Sequence, residues 1–346
     1  MCNIAGYVGK RQAAPILLEM IKRQEGFAGG FYTGIATIHE GKMYYAKITG
    51  DTDTLIKNTD ALSLPGTIGI AHSRSKSGGG DKWAHPFVAL DGNDEPSVAY
   101  IANGAPGYFK EKRVDRSLAI VEELINSGVK MLSRDTAETS IYQTLPDGTA
   151  VHMSDTMCQL AARRIFGGKR SDIALSEAFC EMPSEIVGLL ISLAEEKSIA
   201  YSRINMPAMV AFAKHGAYIA STAFAFPEDA GRHTVLPAMS YGRIFKSRYT
   251  VAPMKNPPAP LTDYDPALVV RAYENVLEML KEEHTFGDLA KSNALLYTGE
   301  GLNTSRPLTY EILLSLWRAG KIELTTKRLP GAREDLDAPK TYIKLI

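Results

Sequence analysis

The sequence has 346 residues, 45% of them hydrophobic and 23% charged, with 39 Lys+Arg balanced by 39 Asp+Glu. This is the composition of a globular protein with room for two domains, and the neutral balance excludes a chain-wide pull toward nucleic acid or another polyanion. No apolar run has the length of a membrane span, the start lacks the charged-then-apolar pattern of a secretory signal, and Cys2, Cys158 and Cys180 form neither a disulfide framework nor a metal-ligand spacing, so a reducing cytoplasm is the expected compartment.

The chain opens with "NIAGYVG", an apolar run ended by glycine that reads as a buried strand. "AAPILLEMIKRQE" follows with helical periodicity, Ile16, Leu17, Met20 and Ile21 sharing one face. "FYTGIATIHEGKMYYAKI" is a strand, a tight turn at Glu40-Gly41 and a returning strand. "GTIGIAHSRS" and "SVAYIANGAPG" are further strands that run into small polar residues. "RSLAIVEELINSG" and "SEIVGLLISLAEEK" read as helices, after which "SIAYSRI", "AMVAFAK", "GAYIAST" and "YGRIFKSRYTVAP" return to strands. Strands, then helices, then strands again predict an α+β fold rather than an alternating parallel sheet.

"MKNPPAPLTDYDP" is a proline-rich linker. It divides a domain over residues 1–255 from a linker and module over 256–346. Past it, "DPALVVRAYENVLEMLKEE" is an amphipathic helix with Asp265 as N-cap and Pro266 at the first helical position. "FGDLAKSN" forms a short helix and "PLTYEILLSLWRAGK" a third, ended by Gly320. "KIELTTKRL" and "KTYIKLI" pair as a hairpin across the loop 330–339, so the order is that of a winged helix. Leu308, Ile312, Leu313, Leu316 and Trp317 share a helical face assigned to the module's core, which leaves Tyr310, Glu311, Arg318 and the hairpin loop as exposed contacts.

Cys2 stands directly behind the initiator methionine. Once Met1 is removed, the residue carries both a thiol and a free α-amine, which titrates near about 7.7–8.0 and so serves as a base close to neutral pH. Nucleophile and base then belong to one residue. "GIAHSRS" delivers Arg74 to a sheet end, where a guanidinium can clamp a carboxylate with two parallel hydrogen bonds. In "YIANGAPGY", Asn103-Gly104 sets a side-chain amide beside an accessible backbone N–H, two donors suited to an oxyanion hole, although Asn-Gly is also an everyday turn. His85, in "AHPF", reads as a structural turn residue and not a base.

In this order and spacing, "MCNIAGYVG", "GIAHSRS", "AHP", "NG" and the late strand "YIASTAFAFP" resemble the class II glutamine amidotransferases, above all the glutaminase domain of glucosamine-6-phosphate synthase. The resemblance covers residues 1 to 255. It implies the N-terminal nucleophile hydrolase fold, a four-layer αββα sandwich, followed here by the winged-helix-like module. It also implies that Cys2 attacks the side-chain amide of glutamine while its α-amine relays the proton through a water. Asn103 and the N–H of Gly104 would hold the oxyanion, Arg74 the glutamine α-carboxylate, and Ser77 stands where the family has a substrate-holding threonine. The acid that fixes the glutamine α-amine falls at Thr136 in a gap-free register, and at Asp135 with a one-residue shift. No cofactor and no metal are called for.

The sequence also departs from the family. Asn3 follows the nucleophile in place of glycine, Ser75 replaces an aromatic residue, and Ala28 and Phe31 occupy the positions of an arginine and an aspartate. "SGGGDK" imitates a pyrophosphate loop but ends in Lys82 where that loop has serine, and it is read as the family's own glycine-containing loop. No ammonia-consuming domain is legible after residue 255, so the expected partner is an ammonia-accepting synthase on another chain; a homo-oligomer stays open. From Pro258 to Ile346 there are 11 Lys+Arg against 13 Asp+Glu, a net of −2, which favours a protein partner over DNA. Two alternatives stand beside the glutaminase reading: an amidohydrolase acting on a different amide, and a catalytically silent scaffold or regulatory subunit.

Overall fold

The opening run forms strand β1 (Asn3–Gly9), buried along almost its whole length. Its side chains divide with period two, Ile4 and Val8 entering one apolar core and Ala5 and Tyr7 another. A strand buried on both faces needs a layer above and a layer below. Both are present in the computed structural model, which describes residues 2–104, 107–136, 144–182, 187–257, 260–262 and 265–346.

The chain continues as α1 (Ala13–Lys22), the hairpin β2 (Tyr32–His39) and β3 (Lys42–Thr49), α2 (Thr52–Asn58), β4 (Ile68–Arg74), β5 (Phe87–Leu90) and β6 (Pro96–Asn103). Next come α3 (Gly107–Asn126), the short pair β7 (Asp135–Thr136) and β8 (Thr149–Ala150), α4 (Met153–Phe166) and α5 (Ser171–Glu181). Strands then return as β9 (Val187–Ser192), β10 (Ile199–Arg203), β11 (Met209–Ala213), β12 (Gly216–Ala220), β13 (Thr234–Val235), β14 (Ser240–Phe245), β15 (Arg248–Tyr249) and β16 (Ala252–Pro253). They build two seven-stranded sheets, in the orders β13-β11-β12-β1-β4-β2-β3 and β15-β14-β10-β9-β6-β5, with β16 paired to β14. The apolar side chains of α1 and α2 cover the outer face of the first sheet. Those of α3, α4 and α5 join the core shared by the two sheets.

The expected turn at Glu40-Gly41 is present, both residues at positive φ (48° and 73°), as a two-residue hairpin turn requires. One sequence assignment is corrected. "SEIVGLLISLAEEK" is not a helix: from Val187 it forms β9, followed by a single 3-10 turn at Leu193–Glu195, and residues 184–186 lie outside the described ones. β9 is buried throughout between β6 and β10, and an unbroken apolar run carries no period that separates a buried strand from a helix.

Beyond the linker, of which residues 258–259 and 263–264 lie outside the described ones, the chain forms α6 (Pro266–Met279), β17 (His284–Thr285), α7 (Phe286–Ala294), α8 (Ser305–Arg318), β18 (Ile322–Pro330) and β19 (Asp337–Leu345). Asp265 caps α6 as expected, its carboxylate accepting from the Ala267 N–H at 2.9 Å. The last two strands are longer than expected, so the loop between them shrinks to residues 331–336. Two side chains of α8 exchange their expected roles. Tyr310 is buried and stacked on Phe286, ring centroids 3.8 Å apart, whereas Trp317 is half-exposed and leans on Phe224.

This C-terminal unit is docked on the rest of the chain. The Thr341 N–H donates to the Gly26 carbonyl at 3.0 Å, and Arg328 reaches the buried carboxylate of Asp51 at 2.6 Å. Glu311 meets His233 at 3.0 Å, and Phe27, Met209 and Ala223 join the unit's own apolar cluster. Among the described residues, no helix is long and apolar enough to cross a membrane.

Candidate active site

Register brings the candidate residues to one end of the two-sheet stack. β1 and β4 pair with Ile4 opposite His72 and Asn3 opposite Ser73, so Cys2 and Arg74 lie at the same edge. Across the sheets, His72 Nε2 sits 2.7 Å from the Ala102 carbonyl oxygen. β6 runs antiparallel to β5, Tyr100 opposite Phe87, and therefore finishes where β5 begins and β4 ends. Asn103, its last residue, thus belongs to the edge that holds Cys2.

The start of β1 is clamped from several sides. The Ser221 hydroxyl accepts the Ile4 N–H at 3.0 Å, and the Asn3 side-chain amide donates to the carbonyls of Gln24 (3.0 Å) and Ala28 (2.5 Å). Cys2 itself is half-buried, with Sγ 3.7 Å from Ser75 Oγ. Cys158 is fully buried, and desolvation pushes its thiol well above the ordinary range, which leaves it inert.

Arg74 is buried, with its guanidinium over the Tyr32 ring. It donates to the Trp83 carbonyl at 2.9 Å and the Gly78 carbonyl at 2.8 Å, which engages two of its five N–H donors. It therefore pins the loop that carries Ser77, whose hydroxyl turns back to the Ser75 carbonyl at 3.2 Å. Asp81 ties the same loop to β3, accepting the Thr49 N–H and hydroxyl, each at 2.6 Å. Gly79, at φ 86°, lies under Trp83, where a Cβ would come within 2.2 Å of the indole. All three glycines of "SGGGDK" take positive φ (78°, 86° and 46°), so they serve the turn of this loop, and Gly79 also its packing. Asp135 stands across from it and pairs with Lys82 at 3.0 Å, a contact that holds its carboxyl below the usual carboxylate range.

Asn103 is buried, and its carboxamide oxygen has no partner among the described residues. The open atom is an acceptor, so the oxyanion role expected of Asn103 would fall to its Nδ2 amide. Gly104 follows at the strand's end and is half-buried. His85 stacks on His72 with ring centroids 3.9 Å apart, and burial depresses both imidazoles, that of His72 to about 3. Both rings are neutral parts of the core.

Sequence reasoning missed Glu25. It is fully buried and accepts from Ser73 Oγ (2.8 Å), Thr52 Oγ1 (2.9 Å) and the Thr52 N–H (3.1 Å). Desolvation lifts its carboxyl to about 7 against the pull of these donors. Ser73 in turn accepts the Gly30 N–H at 2.7 Å, so Glu25 braces the 26–31 loop beside Cys2. The one signal in the sequence was a lone acid between an apolar helix and a glycine-rich turn.

Two antiparallel sheets packed face to face between helices, with Cys2 at the start of a central strand, are the arrangement that the resemblance to the class II glutamine amidotransferases led one to expect. Solved structures share that fold: glutamine phosphoribosylpyrophosphate amidotransferase from B. subtilis (TM-score 0.54, 16% identity, 73% of this chain and 49% of that one) and the allosteric regulatory enzyme of purine biosynthesis (TM-score 0.57, 16% identity, 90% and 63%). In sequence the chain is similar to isomerizing glutamine–fructose-6-phosphate aminotransferases. The Pyrococcus horikoshii protein is 28% identical over 257 residues, 72% of this chain and 37% of that protein. The Bartonella henselae protein is 24% identical over 313 residues, 88% and 46%. In fold and in sequence the chain is a relative of the class II glutamine amidotransferases. It spans less than half the length of these curated relatives. No family model matches it.

Proposed function

We propose that the chain hydrolyses the side-chain amide of glutamine through Cys2 and passes the ammonia to an acceptor enzyme on another chain. The observation that carries this reading is the half-buried Cys2 thiol at the start of β1, with the buried Asn103 side chain, whose Nδ2 amide would be the oxyanion donor, at the same edge. With Met1 removed, the α-amine of Cys2 takes the thiol proton through a water, and sulfur attacks the amide carbon. Asn103 and the Gly104 N–H hold the tetrahedral oxyanion. The amine returns the proton to the leaving ammonia, and water then hydrolyses the thioester to glutamate. Arg74 keeps free donors for the α-carboxylate, and Ser77 and Asp135 border the same loop.

We divide the chain at residues 1–255 and 256–346 and read the second part as a winged-helix-like module. Its helix, strand, helix, helix, hairpin order and the sheet order β17-β19-β18 support that reading. It contacts protein, here its own chain, and we assign it no nucleic acid. A cytoplasmic location fits this chemistry.

A different amide substrate is favoured by one observation: Arg74 already serves the Gly78 and Trp83 carbonyls. The deciding experiment is intact mass before and after a glutamine-analogue chloroketone, together with ammonia release by Cys2→Ala. Loss of Met1, a single adduct on Cys2 and an inactive variant are expected. Near-normal glutaminase activity in Cys2→Ala would sink the scheme.

A further inference from the structure

We propose that the cleft between the C-terminal unit and the 26–31 loop binds a small polyanion, a phosphate ester or a polycarboxylate, held by Arg306, Lys340 and Lys291. The proposal rests on the glutaminase reading only for its position beside Cys2. The cleft has a volume of about 530 Å³ and is walled by Phe27 to Phe31 and Ser75 on one side and by α7, α8 and the ends of β18 and β19 on the other. That is the size of a small-molecule site.

Its charge is one-sided. Three cations line it, with no aspartate or glutamate among the lining residues. Other cations of the chain are paired, for example Lys22 with Asp53, Lys130 with Asp94 and Lys327 with Glu283. Among the described residues, Arg306, Lys340 and Lys291 form no ion pair. Asp288, the acid whose carboxyl feels Lys340, is held in the capping box with Thr285. Arg306 is half-buried, and its guanidinium contacts the Met206 sulfur at 3.2 Å, a weak acceptor for so strong a donor. Burial also lowers its pKa, as expected of a cation without a counter-charge. α8 adds its first turn through Ser305, and a helix N-terminus carries partial positive charge, whereas that of α7 already meets the Asp288 carboxylate. Clustered like charges at a concave site repel one another until an anion neutralises them.

Glutamine does not fit this description. Its α-ammonium would meet three cations and no acid, whereas Asp135, the expected partner for that ammonium, lines a different pocket with Lys82 and Arg333. The occupant is therefore a second ligand. It touches both walls, and Ser75, whose hydroxyl lies 3.7 Å from Cys2 Sγ, forms part of its site. Binding would draw the C-terminal unit onto the nucleophile's loop and report on the supply of an anionic metabolite.

The test is calorimetric titration of the full chain with inorganic pyrophosphate and with citrate, and with glycerol as a neutral control. Saturable one-site binding of at least one anion is expected, weakened about 10- to 100-fold by Arg306→Gln with Lys340→Gln, since charge-assisted hydrogen bonds are the strong ones. Pyrophosphate alone identifies a phosphate ester, and citrate alone a polycarboxylate. Should Arg306→Gln melt below the parent chain, Lys291→Gln with Lys340→Gln is read instead. Labelling of Cys2 by the chloroketone is expected to persist in these variants without anion, so failure here stays separate from failure of the hydrolase reading. No binding of either anion, or equal binding by parent and variants, overturns the proposal.

Discussion

The side-chain amide of Asn3 donates to the carbonyl oxygen of Ala28 at 2.5 Å. Both residues depart from the class II pattern, and they meet. Where the resemblance leads one to expect glycine after the cysteine and a charged turn, the chain ties the turn to β1 by a neutral amide. The same amide also serves the Gln24 carbonyl.

Asn3→Ala should therefore leave the buried Ala28 carbonyl without its donor, while the Gln24 carbonyl keeps the Phe27 and Ala28 N–H groups, and destabilise the chain by about 1–3 kcal/mol. Chemical denaturation measures this directly. An unchanged midpoint would show that the turn holds without Asn3.

Asn103→Ala should lower turnover about 100- to 1,000-fold while changing the Michaelis constant little, because an oxyanion donor acts mainly in the transition state. Steady-state ammonia release separates the two parameters. An effect confined to the Michaelis constant would make Asn103 a substrate-binding group.

Arg74→Lys should raise the Michaelis constant for glutamine, since an ammonium cannot hold the Gly78 and Trp83 carbonyls and still offer a planar fork to a carboxylate. Protease cleavage within residues 75–83 should quicken in the same variant. Quicker cleavage with unchanged glutamine binding would make Arg74 a loop-positioning residue alone.

Glu25 and His72 give stability opposite pH dependences. Burial raises the Glu25 carboxyl from 4.5 to about 7, so its contribution is present below the unfolded value and is lost as pH rises to about 7. Burial lowers His72 from 6.5 to about 3, so its contribution is present above 6.5 and is lost as pH falls below it. The stability of Glu25→Gln relative to the parent should therefore climb between pH 4.5 and 7 and level off above. A difference independent of pH in urea denaturation would show that Glu25 keeps one protonation state through folding.

What could be read from the chain alone was whatever local order encodes. The apolar run ended by glycine announced β1, the Glu40-Gly41 turn set the first hairpin, Asp265-Pro266 started α6, and the ordered motifs around Cys2, Arg74 and Asn103 carried the family resemblance. The tertiary structure alone decided what depends on neighbours distant in sequence. β9 became a strand because β6 and β10 flank it, and Glu25 became a neutral-leaning brace because Ser73 and Thr52 close over it. Tyr310 went inward and Trp317 outward because Phe286 and Phe224 lie where they do. The cationic cleft arises only when residues near 28, 291, 306 and 340 meet in space, since charge in a sequence is a sum whereas charge in a fold is a position.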